Sequence, residues 1–258
     1  LQVKAKSNVI VTSDKFIQWN IDAMNKLINY YKAYKPLLID LFKRTFPSHR
    51  KALNDLDKKL QRYLNFKNGF FIEAGAFDGV TQSNTYFLEK AKNWNGILIE
   101  PILENFEKIS LNRNSGAVNA ALVGETYHDS HIIMNYAGLM TVADNAMEPD
   151  QLEKHVITGN NLHGFEKSYK IKVITRTLSS IIEEFGSPKV DFLSLDVEGA
   201  ENMVLEGIDF SRHRPSFILI EERDHAKTKP LLEKAKYRQL EQLTEHDFLY
   251  SDVNHYLK

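Results

Sequence analysis

The stretch Phe70-Phe71-Ile72-Glu73-Ala74-Gly75-Ala76-Phe77-Asp78-Gly79 reads as a buried strand running into an acidic, glycine-bearing turn. Glycine at 75 lets backbone approach a ligand closely, and such a turn aims main-chain N–H groups outward at the start of a following helix. A second apolar run, Gly96-Ile97-Leu98-Ile99, ends in Glu100-Pro101. A glycine turn after one strand and a carboxylate after the next is the layout of a nucleoside-type cofactor site, the carboxylate serving ribose hydroxyls. The glycines do not fit G-x-G-x-x-G, since Glu73-x-Gly75-x-x-x-Gly79 holds only two. Carboxylates also stand where a dinucleotide's pyrophosphate needs positive or neutral surroundings. The turn therefore suits a cationic or zwitterionic cofactor, and S-adenosylmethionine carries both a sulfonium and an ammonium.

From residue 69 onward, short apolar runs alternate with helix-like segments. Strands are expected over 70–74, 96–100, 117–122, 132–136, 170–175, 190–196 and 217–221. Helices are expected over 83–92, 178–185 and 200–206, with Gly186 and Gly207 as helix stops. This alternation argues for an α/β fold with a doubly wound, largely parallel sheet. Residues 237–243 and 247–250 add a terminal antiparallel hairpin. The polar section 145–164, with Pro149, Gly159-Asn160-Asn161 and Gly164, reads as a long loop of the kind that covers a substrate. Upstream, residues 13–65 read as helical: Asp14 caps, and Phe16, Trp19, Ala23, Leu27 and Tyr30 recur at three- and four-residue steps. Pro36 and Pro47 divide this region, and Leu53, Leu56, Leu60 and Leu64 give its last helix an apolar stripe. The organisation expected is a helical extension over 1–68 and a main domain over 69–258.

A second acidic constellation follows. Val190-Asp191-Phe192-Leu193-Ser194-Leu195 runs into Asp196-Val197-Glu198-Gly199-Ala200, and Phe217-Ile218-Leu219-Ile220 runs into Glu221-Glu222-Arg223-Asp224-His225. Ligands of open parallel sheets bind beyond the C-terminal strand ends, so Asp196 and Glu198 are expected at the same crevice as Glu73 and Glu100, with Glu221 and Glu222 after the next strand adding to that rim. Helix-dipole complementation accounts equally well for Glu198.

Taken in order, Glu73-x-Gly75-x-x-Asp78-Gly79, Ser83-Asn84-Thr85, Ile99-Glu100-Pro101, Asn119-Ala120-Ala121-Leu122 and Asp196-Val197-Glu198-Gly199-Ala200-Glu201 resemble the FkbM family of S-adenosylmethionine-dependent methyltransferases. The resemblance covers roughly residues 70–250. It implies the Rossmann-like class I methyltransferase fold, a seven-stranded, mostly parallel sheet with a C-terminal antiparallel hairpin. It also implies a cofactor site of Glu73, Gly75, Ala76, Asp78, Ser83, Asn84, Glu100, Pro101, Asn119, Ala120 and Asp196. Within that set Glu73, Gly75 and Asp78 would line the methionine part, Glu100 would hold the ribose, and Asn119 and Ala120 would lie near the adenine. Phe77 departs from the polar residue common at its position in the family.

The implied function is O-methylation of a hydroxyl, with a sugar of a glycan or glycosylated metabolite as acceptor, a 6-deoxyhexose such as rhamnose among them. A protonated hydroxyl is a poor nucleophile, so a general base or a metal is expected. Asp196 is placed near the transferring methyl, with Glu222 or His225 accepting the proton. The alternative is Mg²⁺ or Mn²⁺ held by Asp196, Glu221 and Glu222, whose oxygen ligands suit those ions. His155 and His163 lie in the long loop, within reach of a substrate. His128 and His131 have helical spacing but lack a third metal ligand. Two other classes compete. A nicotinamide-dependent sugar oxidoreductase or epimerase would need a fuller glycine fingerprint, and Tyr86-x-x-x-Lys90 stands in the wrong helix for its base pair. A non-catalytic interaction domain would use the N-terminal helices as its surface.

Bulk properties agree with an enzyme acting on a small molecule. At 258 residues, with 43% apolar and 26% charged side chains, the chain makes one large domain with or without an extension. A formal charge of −1 leaves no electrostatic footprint for nucleic acid. There is no cysteine, which excludes disulfides and thiolate metal sites and fits a cytoplasmic location. No apolar run approaches the ~18–20 residues a membrane span needs. The missing initiator methionine suggests a domain of a larger multidomain enzyme.

Overall fold

The computed structural model describes residues 49–163, 168–222 and 225–254. The helices expected between residues 13 and 48 lie outside them. In chain order the elements are α1 (Leu56–Leu60), β1 (Phe70–Ala74), α2 (Tyr86–Lys92), β2 (Asn95–Ile99), α3 (Leu103–Asn112), β3 (Gly116–Val118), β4 (Ala121–Leu122), β5 (His131–Tyr136), β6 (Val142–Ala143), α4 (Pro149–His163), β7 (Tyr169–Arg176), α5 (Leu178–Glu184), β8 (Phe192–Leu195), α6 (Glu201–Glu206), β9 (Phe217–Glu221), α7 (His225–Lys234), β10 (Tyr237–Gln242) and β11 (Asp247–Asp252).

Seven strands form one sheet in the order β10-β11-β9-β8-β1-β2-β3. Every neighbouring pair is parallel except the two that involve β11, which runs against both β9 and β10. The chain walks outward from β1 through β2 to β3, then returns to lay β8 on the other side of β1. The strand order thus reverses between β1 and β8, and a crevice opens there beyond their C-terminal ends. This is the doubly wound α/β fold with a terminal hairpin.

Period-two alternation builds a core on each face of the sheet. Ile72, Ala74, Ile97, Ile99, Leu193, Leu195, Ile218 and Ile220 bury on one side with Leu178, Ile181 and Val204 from the helices. Phe71, Leu98, Phe192, Phe217 and Leu219 bury on the other with Phe87, Leu88 and Ile109. Leu56, Leu60 and Leu64 belong to that second cluster, whereas Leu53 does not and stays 52% exposed. Each fully buried leucine or isoleucine contributes about 1.5–3 kcal/mol, which is ample to hold strands of only four or five residues. Helix α5 starts on Thr177, whose side chain accepts from Ser180 N at 3.2 Å. It stops at Gly186, whose φ of +81° lets Ser187 N reach Ile182 O at 2.9 Å.

Four expectations need correction. Residues 117–122 are not one strand: β3 joins the large sheet, and β4 pairs with β7 in a second, four-stranded sheet ordered β4-β7-β5-β6. The break falls at Asn119, whose side chain turns back to donate to Glu100 O and Pro101 O at 2.9 and 3.0 Å. The section 145–164 is not a loop but carries α4. Pro149 at its first position and Asp150 in its first turn are start signals present in the sequence. Helix α2 begins at Tyr86 rather than at 83, because Ser83, Asn84 and Thr85 are spent as donors to Glu73. His131 opens β5, so it shares no helix with His128. Helices α3 and α7 and strand β6 were not anticipated. Among the described residues no helix is long and apolar enough to cross a membrane.

Candidate active site

The turn after β1 is wedged against the turn after β8. Gly75 has φ +82°, and a Cβ built on it would lie 1.8 Å from the backbone oxygen of Asp196. Gly75 N and Ala76 N both donate to Ile99 O, at 3.0 and 3.1 Å, which locks this turn to the end of β2 as well. Glu73 lies behind the turn, 4% exposed. Its carboxylate accepts from Ser83 Oγ at 2.9 Å, Asn84 N at 2.9 Å and Thr85 Oγ1 at 2.6 Å. The buried guanidinium of Arg113 stands 3.4 Å from it. Asp78 closes the far side of the turn, accepting from Val80 N and Thr81 N at 2.8 and 2.7 Å. Sequence reasoning missed Arg113, because its partners span residues 73 to 89 and nothing local marks it.

Glu100 is 5% exposed, and its two oxygens accept from Phe77 N at 2.8 Å and Ile102 N at 2.9 Å. Phe77, at φ +49°, therefore contributes its backbone at the position where the resemblance leads one to expect a polar side chain. Burial pushes the Glu100 carboxyl from 4.5 up to about 7, against the pull of those two N–H groups. A folded-state value raised above the unfolded one gives stability that is complete below about 4.5 and lost as pH rises through about 7. The loss amounts to about 3 kcal/mol. The melting temperature of the ligand-free protein is thus expected to fall by about 5–10 °C between pH 5 and 8. Glu100→Gln should flatten that slope in parallel thermal melts, and an unchanged slope would refute the assignment.

At the end of β8, Asp196 lies close to the carboxyl of Glu221. Burial, with Glu221 and Glu198 facing it, raises the Asp196 carboxyl well above the usual carboxylate range. Glu201 holds the intervening turn, accepting from Val197 N at 3.3 Å and Gly199 N at 3.0 Å. Burial raises its carboxyl too. Glu198, held at φ +53°, lies 3.5 Å from Nε2 of His155 on α4, and that imidazole also meets Met140 O at 3.0 Å.

Glu222 takes the other side of its strand from Glu221. Its Oε1 pairs with His225 Nδ1 at 2.7 Å and accepts from the Tyr250 hydroxyl at 3.3 Å. His225 is stacked on Phe248, with ring centroids 4.1 Å apart. The set Asp196, Glu221 and Glu222 therefore does not converge. Among the described residues no three His, Cys, Asp or Glu side chains are arranged to hold a metal ion, and the donor set does not fit Mg²⁺ or Mn²⁺.

Two adjoining cavities result. The first, about 420 Å³, fits one cofactor-sized molecule. Its wall includes Glu73, Gly75, Ala76, Ser83, Asn84, Glu100, Pro101, Ala120, Asp196, Glu198 and Glu221. Asp78 and Asn119 stand outside that wall and brace it through their hydrogen bonds. The second is a groove of about 1060 Å³, lined by polar side chains including Asn145, Gln151, His155, Thr158, Asn202 and Glu222. Met140, Ala200 and Met203 line both. Each cavity wall includes a residue with a buried oxygen that has no hydrogen-bond partner among the described residues, Asn84 Oδ1 in the first and Glu222 Oε2 in the second.

No curated protein matches the chain. Among solved structures, a methyltransferase FkbM from Methylobacillus flagellatus KT is similar with a TM-score of 0.42 and 14% identity, covering 81% of this chain. The chain spans 59% of that protein's length. An S-adenosylmethionine-dependent methyltransferase from Aquifex aeolicus is similar with a TM-score of 0.39 and 13% identity, covering 80% of this chain and 92% of that one. The Methyltransferase FkbM domain family matches residues 73–250, more than half of the sequence. With the glycine turn, Glu100 and the acid that follows β8 all inside that span, this chain belongs to the FkbM family of S-adenosylmethionine-dependent methyltransferases.

Proposed function

We propose that the protein transfers the methyl group of S-adenosylmethionine to a hydroxyl oxygen of a sugar, within a glycan or a glycosylated metabolite. The observation that carries this is Glu222, a residue that lines the polar groove adjoining the cofactor cavity and whose buried Oε2 has no hydrogen-bond donor among the described residues. A buried acceptor of this kind costs about 1–3 kcal/mol unless a ligand satisfies it, and an acceptor hydroxyl does so directly.

The cofactor supplies an already activated methyl on a sulfonium. In its cavity Glu100 would receive the ribose hydroxyls, Asn84 Oδ1 the methionine ammonium, and Pro101 and Ala120 would border the base. Asp196, in the same wall, would orient the acceptor. Glu222 would take the acceptor's hydroxyl hydrogen from the groove side as the oxygen–methyl bond forms and the sulfonium–methyl bond breaks, leaving S-adenosylhomocysteine, while His225, paired with Oε1, would stabilise the charge change. The groove's amide, hydroxyl and carboxylate lining suits a hydroxyl-rich acceptor, and its volume exceeds that of a single small ligand, which favours a sugar carried on a larger molecule. A 6-deoxyhexose such as rhamnose is included in that class.

Calorimetry with S-adenosylhomocysteine and with NAD tests the cofactor. Labelled-methyl transfer to a panel of glycosides, aliphatic alcohols and amines tests the acceptor. Glu222→Gln is expected to keep S-adenosylhomocysteine affinity within about twofold and to lower methyl transfer by about 10²–10⁴, the range for loss of a general base. Methylation confined to amines, or heat from NAD alone, would sink the proposal.

A further inference from the structure

Two exposed leucines line the cofactor cavity without any role in the fold. Leu53 is 52% exposed and Leu162 is 70% exposed, and both border the cavity that Gly75, Glu100 and Asp196 enclose. Leu53 lies upstream of the family match, which begins at residue 73.

The chain around Leu53 is anchored on both sides. Ala52 bridges Gln82, which itself borders the cavity. Leu56 and Leu60 enter the core, and Arg50 is ion-paired with buried Asp57 at 3.6 Å. Between the anchors, Asn54 and Asp55 are both left-handed, at φ 52° and 57°. Two successive non-glycine residues persist in that conformation only where the surroundings over-determine it. The strained turn holds Leu53 half in water at the cavity wall, although the next leucine, Leu56, is 4% exposed. A large apolar side chain kept exposed at a ligand cavity marks a surface that the ligand covers.

Leu162 reaches the same cavity from α4. That helix is seated by Gly159, where a Cβ would come within 2.8 Å of the Ala137 Cβ and 3.0 Å of the Met140 Cβ. Position 162 follows three residues later, on the same helix face.

We propose that Leu53 and Leu162 are cofactor-contacting residues, two apolar lips that S-adenosylmethionine buries on binding. The site is then completed by a segment upstream of the family domain and by α4. This rests on the cofactor assignment above.

The test is calorimetric titration of S-adenosylhomocysteine into the full chain, wild type first, then Leu53→Ser, Leu162→Ser and the double variant. Burying part of a leucine is worth about fivefold to tenfold in affinity, so each single variant should bind that much more weakly and the double about 30- to 100-fold. Melting temperatures of the ligand-free variants should stay within about 2 °C of wild type, because both side chains are exposed. Leu111→Ser, at a position 86% exposed and outside the cavity wall, should bind as wild type. A double variant that binds within about twofold of wild type overturns the inference. Absence of heat from the wild type sinks the cofactor assignment itself, and the lips with it.

Discussion

Gly75→Ala is expected to abolish S-adenosylhomocysteine binding and to destabilise the protein by about 2–6 kcal/mol. Two independent effects add. Alanine at φ +82° carries the strain of a left-handed residue, and its Cβ would sit 1.8 Å from Asp196 O. No rotamer moves a Cβ, whose position the backbone fixes, away from a backbone oxygen, so the turns after β1 and β8 must separate, and those turns form the cavity wall. Gly186→Ala isolates the first effect, because Gly186 has φ +81° with nothing within 4 Å of its Cβ position. That control should lose only about 1 kcal/mol. Thermal melts of the two variants, with calorimetry on each, make the comparison. Equal losses would mean that the contact with Asp196 is relaxed at no cost.

Arg113→Met should cost about 3–5 kcal/mol, the range for removing one partner of a buried charge cluster. The guanidinium is fully buried and serves five partners. Nε donates to Glu89 at 3.0 Å, Nη1 to Gly79 O at 2.8 Å and Ser83 Oγ at 3.2 Å, Nη2 to Thr85 Oγ1 at 2.9 Å, and Glu73 lies 3.4 Å from Nη1. Methionine keeps the volume but leaves Glu73 without its cation and Glu89 with Lys90 alone, at 2.8 Å. Burial alone would raise the Glu89 carboxyl, yet Arg113, with help from Lys90, Ser115 and Asn114 N, holds it at about 2. A lowered value means stability present above about 4.5 and lost only as pH falls through about 2. In Arg113→Met that contribution disappears, so acid unfolding should begin at higher pH. Because Arg113 grips both Gly79 and Thr85, S-adenosylhomocysteine affinity should fall as well. Arg113→Lys should not restore it, since one ammonium cannot span those acceptors. A variant that melts near wild type and keeps its acid midpoint would show the cluster to be neutral.

Much of the architecture was legible because it is written locally. Strands 70–74 and 217–221 were read with their observed bounds, since apolar runs ended by an acid and a turn leave little freedom. The acids at the C-terminal ends of β1, β8 and β9 and the one just beyond β2 were legible for the same reason, and the parallel order brings all four to one cavity.

What the sequence alone determined, then, is the alternation of strands and helices, the family, and which strand ends carry charge. These depend on period-two patterning and on residues adjacent in the chain. The tertiary structure decided where each charge points. Glu221 and Glu222 are neighbours, yet one lines the cofactor cavity with Asp196 and the other lines the groove and holds His225, because successive residues at a strand end face opposite sides. It also decided that 149–163 is a helix, seated through Gly159 against Ala137 and Met140, in a segment whose polar composition reads as loop. Arg113 and Leu53 gained their places in the same way. Arg113 meets partners 24 or more residues away and Leu53 borders a cavity built from distant strand ends, and such neighbours exist only once the sheet has assembled.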